Sequence, residues 1–228
     1  MSLGEIETTL SMVSDAQKNG LDITTEVYPY TAASTSLESV LFDEGWKETL
    51  SITYEDLQWE ATGERLNSST FYEYRKKGGT IIIHMMKPEW IKKGVSHPVA
   101  MIASDGMPYA PGAHPRTAGT FSRVLGKYVR KERVMDLMTA LGKMTIMPAK
   151  RLQDVAPVMN GKGRLQVGAD ADITIFNART IIDQADFKGL KYSKGVEYVL
   201  INGVFVVKNG KNVKDMYPGR SILCKYRK

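Results

Sequence analysis

The sequence predicts an α/β fold class, with an α/β portion first and a small all-β portion after it. Three observations support this. Residues 6–27 read as an amphipathic helix, a glycine turn and a strand. Residues 80–84 and 99–103 are short runs rich in apolar and β-branched residues with helical segments around them, and the residues beyond 160 alternate between short apolar runs and turns. Strands that alternate with helices are typical of a parallel sheet.

The first elements follow from spacing. A helix is predicted over 6–19, with Gly20 as its C-terminal cap, and a strand over 21–27 follows it. Residues 34–70 are irregular and too long for a routine connection, so we expect an inserted segment or a lid there. The run over 80–84 predicts a buried parallel strand, because β-branched residues follow one another without polar interruption. Further predicted elements are helices over 69–77, 88–94, 120–131, 134–144 and 148–152, and a strand over 99–103.

The residues beyond 160 predict a β module. Asn202-Gly203 separates apolar runs over 196–201 and 204–207, and Asn-Gly between such runs is a strong hairpin signal. The predicted boundaries are 1–160 for a partial (β/α) barrel with its last strands and the lid, and 161–228 for a small β domain. A whole eight-stranded barrel needs about 250 residues. The α/β part therefore reads as the C-terminal portion of something larger, or as a smaller sheet of its own.

One loop stands out as a candidate site. The strand over 99–103 ends in Ser104-Asp105-Gly106, and a loop rich in proline and glycine leads to His114-Pro115-Arg116 and the next helix. A carboxylate at the C-terminal end of a strand is where a (β/α) barrel keeps its catalytic groups. Taken alone, the pattern favours a turn aspartate that stabilises its own loop over a catalytic one.

Composition excludes several classes of protein. The net charge of +6 is spread thinly and is not interleaved with aromatic residues, which argues against nucleic-acid binding. The single cysteine excludes an intrachain disulfide. We expect no membrane association and a cytoplasmic location, because no apolar stretch is long enough for a membrane span and the N-terminus lacks signal-peptide features.

Four stretches, in order along the chain, resemble one known family. They are residues 27–35 (VYPYTAAST), 104–121 from Ser-Asp-Gly through HPRTAGTF, 123–130 (RVLGKYVR), and 163–173 together with the hairpin at 201–204. They resemble the N-acyl-D-amino-acid deacylase (D-aminoacylase) branch of the amidohydrolase superfamily. The resemblance implies the C-terminal part of a metal-dependent (β/α)8 barrel plus a small all-β domain of the β-sandwich type.

The resemblance also implies roles for four residues. Asp105 matches the family's catalytic aspartate, which takes a proton from a zinc-activated water and passes it to the leaving amine. Arg116 matches the arginine that binds the substrate α-carboxylate, for which a guanidinium fork is well suited. Tyr28 and Ser34 match hydroxyls that hold the same carboxylate. Residues 36–75 match the family's insertion over the site.

The chain also departs from the family. The family's metal ligands are a His-x-His pair, a cysteine and two further histidines, all before the stretch that matches Val27, and this sequence has no His-x-His. We therefore expect an N-terminally truncated hydrolase scaffold for zinc-dependent amide hydrolysis of N-acyl-D-amino acids, inactive alone. Zinc belongs to the complete family enzyme, and none is expected to bind here, Asp105 being the one possible ligand.

The alternative is a non-catalytic binding or assembly remnant of an amidohydrolase. Either way, a partial barrel exposes strand edges and apolar helix faces, which predicts a homo-oligomer.

Overall fold

The computed structural model describes residues 6–108, 110 and 112–225. Its helices are α1 (Ile6–Lys18), α2 (Trp46–Leu50), α3 (Ser68–Lys77), α4 (Pro88–Ser96), α5 (Arg116–Arg123), α6 (Leu137–Met144) and α7 (Ile146–Leu152). Its strands are β1 (Thr25–Val27), β2 (Ala33–Ser36), β3 (Leu57–Trp59), β4 (Thr80–Ile83), β5 (Ala100–Ile102), β6 (Ile173–Phe176), β7 (Val196–Ile201), β8 (Val204–Lys208) and β9 (Lys211–Asn212). A π-helical segment, Val124–Lys131, continues α5, and 3-10 turns lie at Val40–Phe42, Tyr54–Asp56 and Pro157–Gly161.

The strands form three sheets. β1 and β5 pair in parallel, with Thr25 opposite Ala100 and Val27 opposite Ile102. β2, β4 and β3 form an antiparallel sheet in that order, and β6 to β9 form an antiparallel sheet in chain order. The chain is therefore mixed α/β, as the sequence predicts.

The predicted helix, glycine turn and strand at the start are confirmed. Gly20 adopts φ 81°, the left-handed conformation that suits a glycine after a helix. The strand is shorter than predicted, because its partner β5 begins only opposite Thr25. The parallel pair is what positions the site: residues after β1 and residues after β5 leave the sheet at the same edge.

The prediction of a parallel strand over 80–84 is wrong in its direction. β4 forms, but it pairs antiparallel with both β2 and β3. Ile81, Ile82 and Ile83 are all buried, so both faces of the strand are covered. A continuous β-branched run reports burial on both faces, and it carries no information on the direction of the neighbouring strands.

The predicted insertion is more regular than its sequence indicates. It contains α2, β3 and most of α3, packed around an aromatic core in which Trp46 stacks on Phe71 with ring centroids 5.2 Å apart. Phe42 packs edge-on against both rings. Residues 36–75 thus share one hydrophobic core with β2 and β4, to which Ala33, Ile81 and Ile83 contribute.

The helices after β5 follow the prediction with shifted bounds. α5 begins at Arg116, four residues before the predicted start, and α6 buries Lys143 at 1% exposure. The Lys143 ammonium donates to the carbonyls of Val95, His97 and Ala100, and so ties α6 to the C-terminal end of α4 and the start of β5. No helix of the described residues is both long enough and apolar enough to span a membrane.

The predicted hairpin beyond 160 is confirmed. Asn202 and Gly203 adopt φ 48° and 78°, the positive values that a tight two-residue turn of this kind requires. In residues 173–212 the strands form one four-stranded sheet, whereas a sandwich has two layers. One side of this sheet leaves Ile175 and Phe205 exposed.

Candidate functional site

The loops after β1 and β5 meet at one edge of the parallel sheet. The Ala103 amide donates to the Val27 carbonyl over 3.2 Å, which extends the ladder by one bond. Tyr28 then follows β1 directly. Asp105 lies in the loop after β5, two residues beyond Ala103. Its φ of 47° is a left-handed conformation that aspartate tolerates better than most residues. The four residues predicted as site residues come from this edge, from β2 and from the first turn of α5.

Arg116 lies at the centre of these residues. Its side chain is only 2% exposed, and its Nη2 lies 3.0 Å from Oδ2 of Asp105, whose side chain is 62% exposed. Nη2 also donates to the Ser34 carbonyl over 3.4 Å. The Tyr28 ring centroid lies 4.7 Å from the guanidinium carbon. The structure therefore brings Asp105, Arg116, Tyr28 and Ser34 together.

Two buried polar atoms at this site lack a hydrogen-bond partner among the described residues: Arg116 Nε and Ser34 Oγ. Leaving a buried donor unpaired costs about 1–3 kcal/mol, and more if the group is charged. Ser34 thus contacts Arg116 through its carbonyl, while its hydroxyl stays available. The arrangement suits a ligand with several acceptor oxygens.

Tyr28 can serve as a donor at this site. Burial raises the pKa of its hydroxyl, and the nearby Arg116 guanidinium opposes that rise. The phenol therefore remains protonated at neutral pH. Its hydroxyl can donate to an anion, while its ring face contacts the guanidinium.

His114 holds the start of α5 in place. Its ring is fully buried, Nδ1 accepts from the Arg116 backbone N–H over 3.1 Å, and Nε2 donates to the Ala32 carbonyl over 2.9 Å. Burial, reinforced by the Arg116 charge, lowers the pKa of His114 to about 3. A neutral ring with one accepting and one donating nitrogen fits both contacts. The position of His114 beside Arg116 in sequence already indicates that it shapes this turn.

A second arginine, Arg123, lies two helical turns further along α5. Its Nη1 lies 2.8 Å from Oδ2 of Asp183, whose side chain is 5% exposed, and its Nε donates to the Pro29 carbonyl over 2.8 Å. Tyr30 donates its hydroxyl to the same Asp183 oxygen over 3.1 Å. No local pattern in the sequence marks this cluster, because Asp183 lies 153 residues from Tyr30.

The other histidines lie apart from Asp105. His84 contacts the Gln58 side chain over 2.9 Å and packs edge-on against Phe187, beside a cavity of about 680 Å³. Burial lowers the pKa of His84 to about 4. Within residues 6–108, 110 and 112–225, no group of three or more His, Cys, Asp or Glu side chains is arranged to hold a metal ion.

Comparison with known proteins gives a consistent result. The model of the amidohydrolase family matches residues 7–207. The chain is 32% identical over 213 residues to an N-acyl-D-glutamate deacylase and 31% identical over 210 residues to a D-aminoacylase, both of Alcaligenes xylosoxydans xylosoxydans. Each match covers 89% of this chain and 42% of the relative, so the chain spans less than half the length of these relatives.

A solved structure agrees with the sequence matches. The N-acyl-D-glutamate deacylase of Bordetella bronchiseptica, in complex with zinc and a phosphonate inhibitor that mimics the tetrahedral intermediate, superposes with a TM-score of 0.76 at 29% identity. The match covers 92% of this chain and 46% of that one. With a family match over most of its length and the fold of a solved relative, this chain belongs to the amidohydrolase family.

Proposed function

We propose that this chain provides the carboxylate-binding part of a hydrolase that cleaves the amide bond of N-acyl-D-amino acids. The observation that supports this best is the state of Arg116, a buried guanidinium whose Nε has no acceptor in the described structure. The relatives named above are deacylases of N-acyl-D-amino acids, which supports the substrate class. An α-carboxylate is the anion that every substrate of this class presents.

The side chains divide into binding and proton-transfer roles. Arg116 engages both carboxylate oxygens, because the guanidinium presents two parallel N–H groups. Tyr28 and Ser34 donate hydroxyl hydrogen bonds to the same carboxylate. Asp105, at 3.0 Å from Arg116 and largely exposed, acts as general base toward the attacking water and then as general acid toward the leaving amine.

In a complete hydrolase of this class, a bound zinc would polarise the amide carbonyl and activate water. The described residues do not fit a catalytic zinc on their own, because such a site needs three protein ligands and no three His, Cys, Asp or Glu side chains among them are arranged to hold a metal ion. We therefore infer that the 228-residue chain alone holds no zinc tightly and does not turn over substrate. Metal analysis after extensive dialysis tests this, and one equivalent of zinc per chain would contradict it.

We also infer the larger architecture. The parallel β1–β5 pair belongs to a (β/α) barrel within residues 1–160, with residues 36–75 as a lid over its mouth. The four-stranded sheet belongs to a sandwich-type domain within 161–228, since Ile175 and Phe205 leave an apolar face uncovered. The uncovered apolar face and the open strand edges of the β1–β5 pair support a homo-oligomer. Sedimentation at micromolar concentration tests this. The cytoplasmic location stays a prediction.

The carboxylate site is tested by titrating the chain with N-acetyl-D-alanine under NMR observation. We expect a dissociation constant on the order of millimolar. Arg116→Lys should weaken binding about five- to tenfold, because a point charge cannot replace a bidentate fork. The control is Arg151→Lys, which alters an exposed arginine paired with Asp22. Equal affinity of wild type and Arg116→Lys would contradict the proposal.

A further inference from the structure

The connection between β6 and β7 contributes a buried carboxylate to the turn after β1. Asp183 lies in this connection, and its side chain is 5% exposed. Its Oδ2 accepts from the Tyr30 hydroxyl over 3.1 Å and from Arg123 Nη1 over 2.8 Å. The connection between β6 and β7 therefore contacts the turn after β1, next to the carboxylate site.

Arg123 carries this contact to the backbone of the turn. Its Nε donates to the Pro29 carbonyl over 2.8 Å, and the guanidinium carbon lies 4.5 Å from the Tyr30 ring centroid. The Tyr128 hydroxyl donates to the same carbonyl over 3.4 Å. Arg123 thus contacts the turn at the Pro29 carbonyl and at the Tyr30 ring face, and Asp183 contacts it at the Tyr30 hydroxyl. Asp183 also neutralises the Arg123 charge.

The turn in question supports both sides of the Arg116 site. Tyr28 precedes Pro29, and its ring lies against the Arg116 guanidinium. The Tyr30 ring packs edge-on against His114, with centroids 5.5 Å apart, and His114 accepts from the Arg116 backbone N–H. A shift of this turn would therefore move the hydroxyl donor and the anchor of the guanidinium together.

Helix α5 packs against this cluster without free space. A Cβ placed on Gly119 would lie 2.3 Å from the Tyr30 hydroxyl oxygen and 2.8 Å from the Asp183 Cβ. The helix that contains Arg116 and Arg123 is thus in direct contact with the Asp183 carboxylate. Close packing of this kind transmits a displacement rather than absorbing it.

We propose that Asp183 is a positioning residue for substrate binding, which sets the placement of Tyr28 and Arg116 through its contacts with Tyr30 and Arg123. This inference rests on the proposed carboxylate site. Asp183 itself does not touch the substrate.

The test compares Asp183→Asn and Tyr30→Phe in the 228-residue chain. Asp183→Asn keeps the size and one acceptor oxygen but removes the charge opposite Arg123. Tyr30→Phe keeps the ring against His114 and Arg123 and removes only the hydroxyl. The dissociation constant for N-acetyl-D-alanine should rise about tenfold in Asp183→Asn and about threefold in Tyr30→Phe. The NMR signal of Arg116 Nε–H in the ligand-free chain should shift in both.

The control for a purely structural effect is Lys143→Met, which destabilises a buried site on the opposite end of β5. Each variant is measured at a temperature where urea titration shows it to be folded. Lys143→Met should leave the dissociation constant within twofold of wild type and the Arg116 signal in place. Unchanged affinity and an unmoved Arg116 signal in Asp183→Asn would overturn the inference.

Failure of the two proposals gives different results. If wild type binds no carboxylate, the proposed function is wrong, and the ligand-free Arg116 signal still reports whether Asp183 positions the guanidinium. If wild type binds and both variants bind equally well, the positioning role is wrong and the carboxylate site stands.

Discussion

Helix α5 contains two arginines whose hydrogen-bonding surroundings differ. Arg123 is bound by a buried carboxylate through Nη1 and by a backbone carbonyl through Nε. Arg116 is more deeply buried, yet its partner Asp105 is largely exposed, its contact to Ser34 is long, and its Nε lacks an acceptor within the described residues. The first arrangement stabilises the fold, whereas the second leaves binding capacity for a ligand.

The largest difference should appear on removing each guanidinium. Arg123→Met leaves Asp183 buried without a counter-charge, and we expect a loss of about 3–5 kcal/mol in the free energy of unfolding. Arg116→Met leaves Asp105, which is solvated, and should cost less than about 1.5 kcal/mol. Urea denaturation followed by tryptophan fluorescence measures both. Equal losses would contradict the distinction between the two sites.

Acid should affect the Arg116 site through His114. The folded pKa of His114 is about 3, below its ordinary value of about 6.5. Between these values the unfolded chain binds a proton that the folded chain does not, so stability falls with falling pH, by about 1.4 kcal/mol per unit. His84, with a folded pKa of about 4, adds to the slope.

The contribution of His114 is separated by comparing urea denaturation of wild type, His114→Asn and His84→Gln from pH 7 to pH 5. Each variant should lower the slope by about 1 kcal/mol per pH unit on average over this range, because the unfolded histidine is only partly protonated near pH 7. Only His114→Asn should also weaken carboxylate binding at pH 7, because it alters the anchor of Arg116. If His114→Asn has the same dependence of unfolding free energy on pH as wild type, the wild-type His114 ring titrates at its ordinary pKa.

A smaller effect is expected from adding a methyl group between the two arginines. Gly119→Ala forces a methyl into Tyr30 and Asp183, and overpacking of this kind costs about 1–3 kcal/mol. Gly142→Ala on α6 is the matched control, since nothing lies within 4 Å of its added Cβ. The control should stabilise the chain by up to about 1 kcal/mol. Thermal denaturation of the two variants would show them shifting in opposite directions.

The smallest effect concerns competition for Arg116. Asp105→Ala removes the anion that contacts the guanidinium, so N-acetyl-D-alanine should bind about three- to tenfold more tightly. Asp22→Ala, which removes an exposed partner of Arg151, should leave binding unchanged. Weaker binding in Asp105→Ala would mean that Asp105 helps to hold the ligand rather than competing with it.

Part of this site could be predicted from the sequence. The strand before Asp105 and the turn presenting Arg116 follow from local patterns, and the resemblance to the deacylases singled out Tyr28 and Ser34, which the structure places around the same guanidinium. The roles of these residues stay predictions. That Arg116 Nε has no partner among the described residues could not be foreseen, because it depends on every group packed around that atom.

Three elements could be assigned from signals that lie within a few residues: the helix capped at Gly20, the buried run over β4 and the hairpin at Asn202. The antiparallel direction of β4 and the pairing of Asp183 with Arg123 become evident only in the folded chain. Hydrophobic periodicity and helix capping depend on residues within one or two helical turns of each other. The partner of Arg123 lies 60 residues away in the sequence. Which buried charge is satisfied is set by packing between distant segments, and no local pattern encodes it.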